Sequence, residues 1–338
     1  MIQKRVTMKD VADVARVTPG TVSRALRGDP LVKNLTRQHI VDVARSLNYS
    51  LNMSARALRT GSAGNLALAC ATGSWVLHHP YFAPMHSGFI SAAAAEGVRV
   101  TIYLPAKDSE IGSLAHHSWP TEMLDGLVDG CVIYQAQRLS LESLRFLRDS
   151  KLAVVFMNLD RKIPGFFQIV GNAEQRVTES VRWGRELGAR RFAVLGLSPW
   201  MIYINGALRA GIESVPREVP VSMHEIQNPD PDDKDAIEAA LVEIMTTAPD
   251  AVIFNSAFHL SCFLALQRQG RFPGDIRLFC HDLANQAGSC PMPGVHYLEA
   301  DLLAVGELGY KMIKDAKAGK KAYVEYVAWR RRPEAGGK

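Results

Sequence analysis

The 338 residues are 47% hydrophobic, enough to bury a substantial core and to divide into two or three domains. No run of 18 apolar residues occurs, and the start of the sequence lacks the apolar middle and small-residue cleavage site of a secretory leader, so a cytoplasmic chain is expected rather than an exported or membrane-spanning one. Residues 1–60 hold 11 Lys and Arg against 4 Asp and Glu, a net of +7 in a chain whose total is +5, which leaves the other 278 residues at −2. A basic head on a nearly neutral body favours a polyanion partner for the head alone.

In chain order, Thr7 ahead of Met8-Lys9-Asp10 is a capping box with Asp in place of Glu, and Met8, Val11, Ala12 and Ala15 recur at helical spacing, predicting a first short helix. Arg16-Val17 breaks it. The stretch TPGTVSRAL then predicts a second helix: Thr18 is the cap and Pro19 suits the first turn. Val22, Ala25 and Leu26 face inward, Ser23, Arg24 and Arg27 face outward, and Gly28 lies past the end. A third helix fits residues 34–48, with Ile40, Ala44 and Leu47 in one stripe. Two short helices with a tight turn and a supporting third are the helix-turn-helix arrangement, whose second helix puts its N-terminal residues against base edges in the major groove. A solvated three-helix bundle is the competing reading of the helices alone. Residues 51–61, LNMSARALRTG, predict a brief helix capped by Asn52 and stopped by Gly61, too short to hold alone in water. Its stripe of Leu51, Ala55 and Leu58 suits a copy in a second subunit, with a leucine wedged between base pairs in the minor groove.

The head, TMKDVADVARVTPGTVSRAL followed by LNMSARALRTG, closely resembles the lactose-repressor (LacI/GalR) family of bacterial transcription regulators, and the order of segments carries the resemblance to about residue 332. It implies that Pro19, Gly20, Ser23 and Arg24 face bases, that Thr18, Thr21 and Thr36 lie along the DNA and hold phosphates, and that Asn52, Ala55 and Leu58 belong to the minor-groove element with Leu58 as the wedge. Two departures stand out. Arg16 occupies the turn where the family usually has Gly or Asn. Pro19-Gly20 occupies the positions that normally set operator preference, and neither side chain can donate or accept a hydrogen bond, so base discrimination is expected to fall to Arg24 paired with a guanine.

From residue 65 the pattern changes. LALACA (66–71), VRVTIYL (98–104), GCVIY (130–134), AVVFMNL (153–159), FAVLGL (192–197), AVIFN (251–255) and IRLFC (276–280) read as buried parallel strands, with helical stretches between most of them. The fold class is α/β, with a three-helix helix-turn-helix head and hinge helix followed by two doubly wound lobes. The resemblance implies a periplasmic-binding-protein-like body with crossings near residues 160, 290 and 323. The expected boundaries are a DNA-binding domain over 1–50, a hinge helix over 51–61, an effector-binding and dimerisation core over 62–332, and a tail over 333–338. Within the core, lobe 1 covers about 62–160 and 291–323, and lobe 2 about 161–290 and 324–332.

No GxGxxG, GxxxxGK[ST], GxSxG or HExxH occurs, and His78-His79 and His116-His117 are adjacent rather than four apart, so neither catalysis, a metal nor a cofactor finds positive support. Cys70, Cys131, Cys262, Cys280 and Cys290 lack CxxC spacing and read as free thiols, mostly buried. The resemblance implies a small-molecule cleft lined by Tyr81, Phe82, Asn158, Asp160, Asn172, Trp200, Tyr203, Asn255, Ser256 and Asp282. Ordinary structural roles compete: Tyr81 and Phe82 as core, Asn172 as a turn residue, Asp282 as a cap. The family's sugar readers commonly keep an Arg in R-x-x-G and an Asn-Asp pair, whereas here Leu208 precedes Gly211 with Arg209 beside it and Ala257 stands in for the acid. A site without charged bidentate contacts loses the usual handle on hydroxyls or carboxylates, which leaves room for a flatter or more apolar ligand near Trp200, Tyr203 and Phe258. The implied protein is a dimeric, ligand-responsive repressor on a palindromic operator. A DNA-binding protein without an effector is the alternative.

Overall fold

The computed structural model describes residues 6–26, 28–47, 49, 62–70, 77, 81–104, 127–134, 139, 141–150, 152–159, 162–197, 202–228, 230, 232–281 and 292–332, with backbone alone at 158, 159, 202 and 203. The chain falls into two compact units divided between Ala63 and Gly64.

The first unit contains three helices, α1 (Met8–Ala15), α2 (Pro19–Leu26) and α3 (Asn34–Ser46). Val11, Ala12, Ala15, Val22, Ala25, Val32, Ile40 and Ala44 form its core, the positions that helical spacing places on inner faces. The predicted helix over 51–61, with Asn52, Ala55 and Leu58, lies outside the described residues.

The second unit is built on two six-stranded sheets. The first has the order β11-β5-β4-β3-β1-β2, from β1 (Asn65–Cys70), β2 (Arg99–Tyr103), β3 (Gly130–Tyr134), β4 (Ala153–Leu159), β5 (Phe167–Val170) and β11 (Val324–Tyr326), all pairing in parallel. The second has the order β12-β10-β9-β8-β6-β7, from β6 (Phe192–Gly196), β7 (Val221–Glu225), β8 (Ala251–Phe254), β9 (Arg277–His281), β10 (Val295–Glu299) and β12 (Arg330–Arg331), parallel except for the β10–β12 pair. The helices are α4 (Phe82–Ala95), α5 (Leu141–Asp149), α6 (Ala173–Glu186), α7 (Ile202–Glu213), α8 (Lys234–Thr246), α9 (Ala257–Arg268) and α10 (Leu302–Lys317). Each sheet reverses strand order once, between β1 and β3 and between β6 and β8, and ligands of such sheets sit outside the carboxyl ends of the strands at that reversal.

All seven apolar runs are strands, but β2 is not buried. It is an edge strand with Ile102 44% exposed, because only β1 flanks it. The lobe crossings also fall later than expected. β5 and β11 belong to the first sheet and β10 to the second, so the chain crosses at 171–172, 300–301 and 327–329 rather than near 160, 290 and 323. Strand pairing decides this: β5 adds to β4, and β10 stays on β9 until α10 returns to pack on α4.

Cys70, Cys131 and Cys280 are buried and Cys262 is half-buried, all as free thiols; burial pushes Cys70 and Cys131 up to about 12, which makes both inert at neutral pH. Cys290 lies outside the described residues. Among the described residues no helix is long and apolar enough to cross a membrane, and no group of three or more His, Cys, Asp or Glu is placed to hold a metal ion.

Candidate nucleic-acid interface and ligand cleft

The head presents its outer face through two caps. Thr7 Oγ1 accepts from the Asp10 amide at 3.4 Å, and the Asp10 carboxylate accepts from the Thr7 amide at 2.7 Å, completing the capping box. Thr18 Oγ1 accepts from the Thr21 amide at 3.2 Å and lies 2.9 Å from Thr21 Oγ1, so the start of α2 is fixed by its own hydroxyls. Thr18, Pro19, Gly20 and Arg24 are exposed, Thr21 and Thr36 half-exposed. Thr18, Pro19, Gly20, Thr21 and Arg24 lie on or just before α2, and Thr36 lies on α3.

Ser23 does not share their exposure. It is buried at 6% exposure, which corrects its outward assignment: it sits at the border of the apolar stripe, one residue after Val22 and three before Leu26, where a small hydroxyl is covered by the packed bundle. Arg37 locks the α2–α3 connection, donating to the carbonyls of Asp29 at 2.7 Å and Val32 at 3.1 Å.

The turn residue Arg16 has φ 54° and ψ 45°, left-handed backbone, a conformation that costs a non-glycine residue about 1 kcal/mol. Its side chain is exposed, so Arg16→Gly should stabilise the head by roughly 1 kcal/mol. Amide hydrogen exchange in α1 and α2 reads this directly; unchanged or weaker protection would show that the turn carries no strain.

In the body the expected cleft residues separate. Tyr81 and Phe82 are 8% and 4% exposed and meet edge-on at 5.0 Å within the core, so packing accounts for them. Ser256 caps α9, its Oγ accepting from the Phe258 amide at 3.2 Å. Asn172 is the left-handed residue (φ 59°) before α6, its amide donating to Gln175 Oε1 at 2.9 Å and to the Val327 carbonyl at 3.4 Å. Asn255 follows β8 and bridges the strand-order reversal by donating to the Leu195 carbonyl at 3.1 Å. Asp160, Trp200 and Asp282, and the side chains of Asn158 and Tyr203, lie outside the described residues. Leu208 is fully buried and Arg209 is paired with Glu225 at 2.7 Å, so neither supplies a charge to a cleft.

A cluster that the sequence did not announce lies at the carboxyl edge of the second sheet. His281, at the end of β9, is fully buried between Asn255 Oδ1 at 3.1 Å from Nδ1 and Ser180 Oγ at 2.9 Å from Nε2. Because the Asn255 amide nitrogen is committed to Leu195, its oxygen accepts from Nδ1–H, and Nε2 is left to accept from the Ser180 hydroxyl. Burial, reinforced by the Arg176 charge, holds this imidazole well below the usual histidine range, so it is neutral. Arg176 on α6 is itself 8% exposed, and its guanidinium carbon lies 5.0 Å over the ring of Trp329 on the third crossing. Trp329 is fixed by Nε1 donating to the Gly171 carbonyl at 2.8 Å. Asn205 clips the far end of β6 through paired 2.9 Å bonds with the Leu197 amide and carbonyl.

Residues 7–52 match the family described as bacterial regulatory proteins, lacI family. The head thus matches the lacI family. Similar proteins include the probable transcriptional repressor ExuR of Bacillus subtilis (strain 168), 25% identical over 190 residues that make up 56% of this chain and 54% of that protein. The maltose regulon regulatory protein MalI of Escherichia coli (strain K12) is 30% identical over 153 residues, 45% of this chain and 42% of its own. The chain thus spans about half the length of the curated relatives it matches. The fold is shared more widely: the lac repressor dimer bound to operator and the anti-inducer ONPF superposes with a TM-score of 0.74 at 19% identity, over 97% of this chain and 98% of that one. A complex of the regulator CelR with cellobiose gives 0.61 at 20% identity, over 97% and 99%.

Proposed function

We propose that this protein is a ligand-responsive, sequence-specific transcriptional repressor, with the head gripping an operator and the two-lobed body reading a small metabolite. The observation that carries it is the capped α2 face of Thr18, Pro19, Gly20, Thr21 and Arg24 on a basic head. The relatives named as repressors, and the operator and anti-inducer in the lac repressor structure, support the same reading.

Thr18, Thr21 and Thr36 hold phosphates, which fixes register without reading sequence. Pro19 and Gly20 bring the backbone close to the bases, and Pro19 offers apolar contact to a thymine methyl. Arg24 reads a guanine through two hydrogen bonds. With Ser23 buried, the burden on Arg24 is greater than the sequence implied. Two heads on a near-palindrome require a dimer, and the apolar strip of Ile90 on α4 with Ile102 and Leu104 on and beyond β2, 36%, 44% and 42% exposed, supplies a face for a second copy. A ligand that prefers one arrangement of the lobes shifts operator affinity by its differential affinity for the two states.

Selection of binding sites from random duplex by the full chain tests this, and recovery of near-palindromes is the expected result. Arg24→Ala should cut affinity for the selected site by about 10- to 100-fold, the equivalent of 1–3 kcal/mol, and relax preference at one symmetric guanine per half-site. Unaltered preference in that variant would remove Arg24 from the readout, and failure to enrich any duplex would sink the function.

A further inference from the structure

The second sheet's carboxyl edge holds a cation without a counterion among the described residues. Arg176 is more than nine-tenths buried, its Nε has no hydrogen-bond partner, and its guanidinium has no ion pair among the described residues. The carboxylates of its own helix are engaged elsewhere: Glu174 accepts from the Ser214 hydroxyl at 2.9 Å, Glu179 pairs with Arg182 and with Arg331, and Glu186 pairs with Arg331. His281 beside it is neutral and fully bonded to Asn255 and Ser180, so it brings no negative charge. Among the described residues, only the Trp329 face compensates the guanidinium.

A buried charge left in this condition is unfavourable unless a partner arrives, and Trp329 supplies cation–π attraction while leaving the guanidinium fork open. The position has independent support as a ligand site. Arg176 lies in the first turns of α6, next to the first and third crossings, and the residues around it follow β8, which borders the strand-order reversal where ligands of such sheets bind, and end the neighbouring β9. The Asn172 side chain leaves the start of α6 uncapped, so the helix dipole adds to the same positive field.

We infer that Arg176 is the recognition residue for the carboxylate of a small organic-acid effector, held by the guanidinium fork with Trp329 beneath it. The inference rests on the regulator reading above and names its ligand class. One guanidinium flanked by a neutral imidazole and hydroxyls suits a single negative charge rather than a phosphate dianion.

The test uses the full chain and three sugar acids, D-glucuronate, D-galacturonate and D-gluconate, beside D-glucose and D-galactose, with glucose 6-phosphate and inorganic phosphate as a separate arm. At least one acid should raise the melting temperature in proportion to the logarithm of its concentration, with no shift from its neutral counterpart. Arg176→Leu should weaken that acid at least tenfold by calorimetry, and Arg176→Lys should keep part of the affinity by retaining charge without the fork. Wild-type protein indifferent to all three acids, responding only to phosphates or neutral sugars, or binding an acid equally well as Arg176→Leu, overturns the assignment. Selected operator without ligand serves as the control. If wild type and Arg176→Leu both bind it, they are folded and the regulator reading stands whatever the acids do, whereas loss of operator binding in wild type counts against that reading instead.

Discussion

Gly306→Ala should destabilise the body by about 3 kcal/mol or more, the upper end of what overpacking a close interface costs. Gly306 on α10 meets α4 backbone to backbone: a Cβ there would lie 2.0 Å from the Met85 carbonyl oxygen and 2.7 Å from the Phe89 nitrogen. Gly88 answers it from α4, where a Cβ would fall 2.1 Å from the Leu303 carbonyl oxygen. Neither obstacle is a flexible side chain, so the helices themselves must part, and Phe82, Met85 and Phe89 lose their packing. The control has the opposite sign. Gly206, in the interior of α7, is exposed with nothing within 4 Å of its would-be Cβ, so Gly206→Ala should stabilise by roughly 0.5–1 kcal/mol through helix propensity alone. Urea midpoints of the two variants should therefore move in opposite directions. A Gly306→Ala midpoint at or above wild type would mean that α4 and α10 do not touch in this way.

Stability should also fall well before the carboxylates titrate. His86, buried edge-on against Tyr134 at 4.5 Å, is lowered to about 4, chiefly by burial with a small opposing contribution from the Leu77 backbone. His281 is lowered further in direction by burial and by Arg176. For a histidine held neutral in the fold, the unfolded chain takes up the proton first. The stabilisation is complete above the unfolded value near 6.5 and is lost as pH drops toward the folded value. His86 alone then accounts for about 2 kcal/mol between pH 7 and 5 and about 3 kcal/mol by pH 4, with His281 adding in the same direction. Glu96, Glu186, Asp250 and Asp315, all lowered by hydrogen bonds and nearby cations, stabilise the fold above the ordinary carboxylate range, and that contribution is lost only as pH falls through it. Urea midpoints at pH 7 and pH 5 isolate the histidines. His86→Gln should flatten part of that slope, and equal wild-type midpoints at the two values would show that neither ring is kept neutral.

Legibility in the sequence followed how local the deciding physics was. Capping at Thr7 and Thr18, the stop at Gly28 and the left-handed turn at Arg16 depend on a few neighbours, and each was readable. The seven apolar runs were equally plain. β5 was hidden because FQIV carries Gln168 at its centre, fully buried and satisfied by the Ile163 amide at 2.6 Å and by the carbonyls of Ile163 and Phe166. VSMHE at β7 is half-exposed and lacks a continuous apolar run. Ser23 was misplaced because a wheel diagram cannot say how wide the covered arc is. Arg176 was missed for a stronger reason: on an amphipathic helix an arginine reads as solvated, whereas here it is buried against Trp329, which lies far away in sequence and arrives only at the third crossing. Tyr81, Phe82 and Ser256 were expected in the cleft by resemblance, and what the fold adds is their packing and capping contacts.

Those crossings carry a mechanical consequence. Trp329 Nε1 is bonded to the Gly171 carbonyl, its amide to Gln175 Oε1 at 3.3 Å, and Asn172 Nδ2 to the Val327 carbonyl, so the first and third connectors are stitched side by side. Connectors tied in this way must move together when the two sheets rearrange. A small molecule wedged at Arg176, close to the stitched pair, would then gain leverage over the far ends of both sheets.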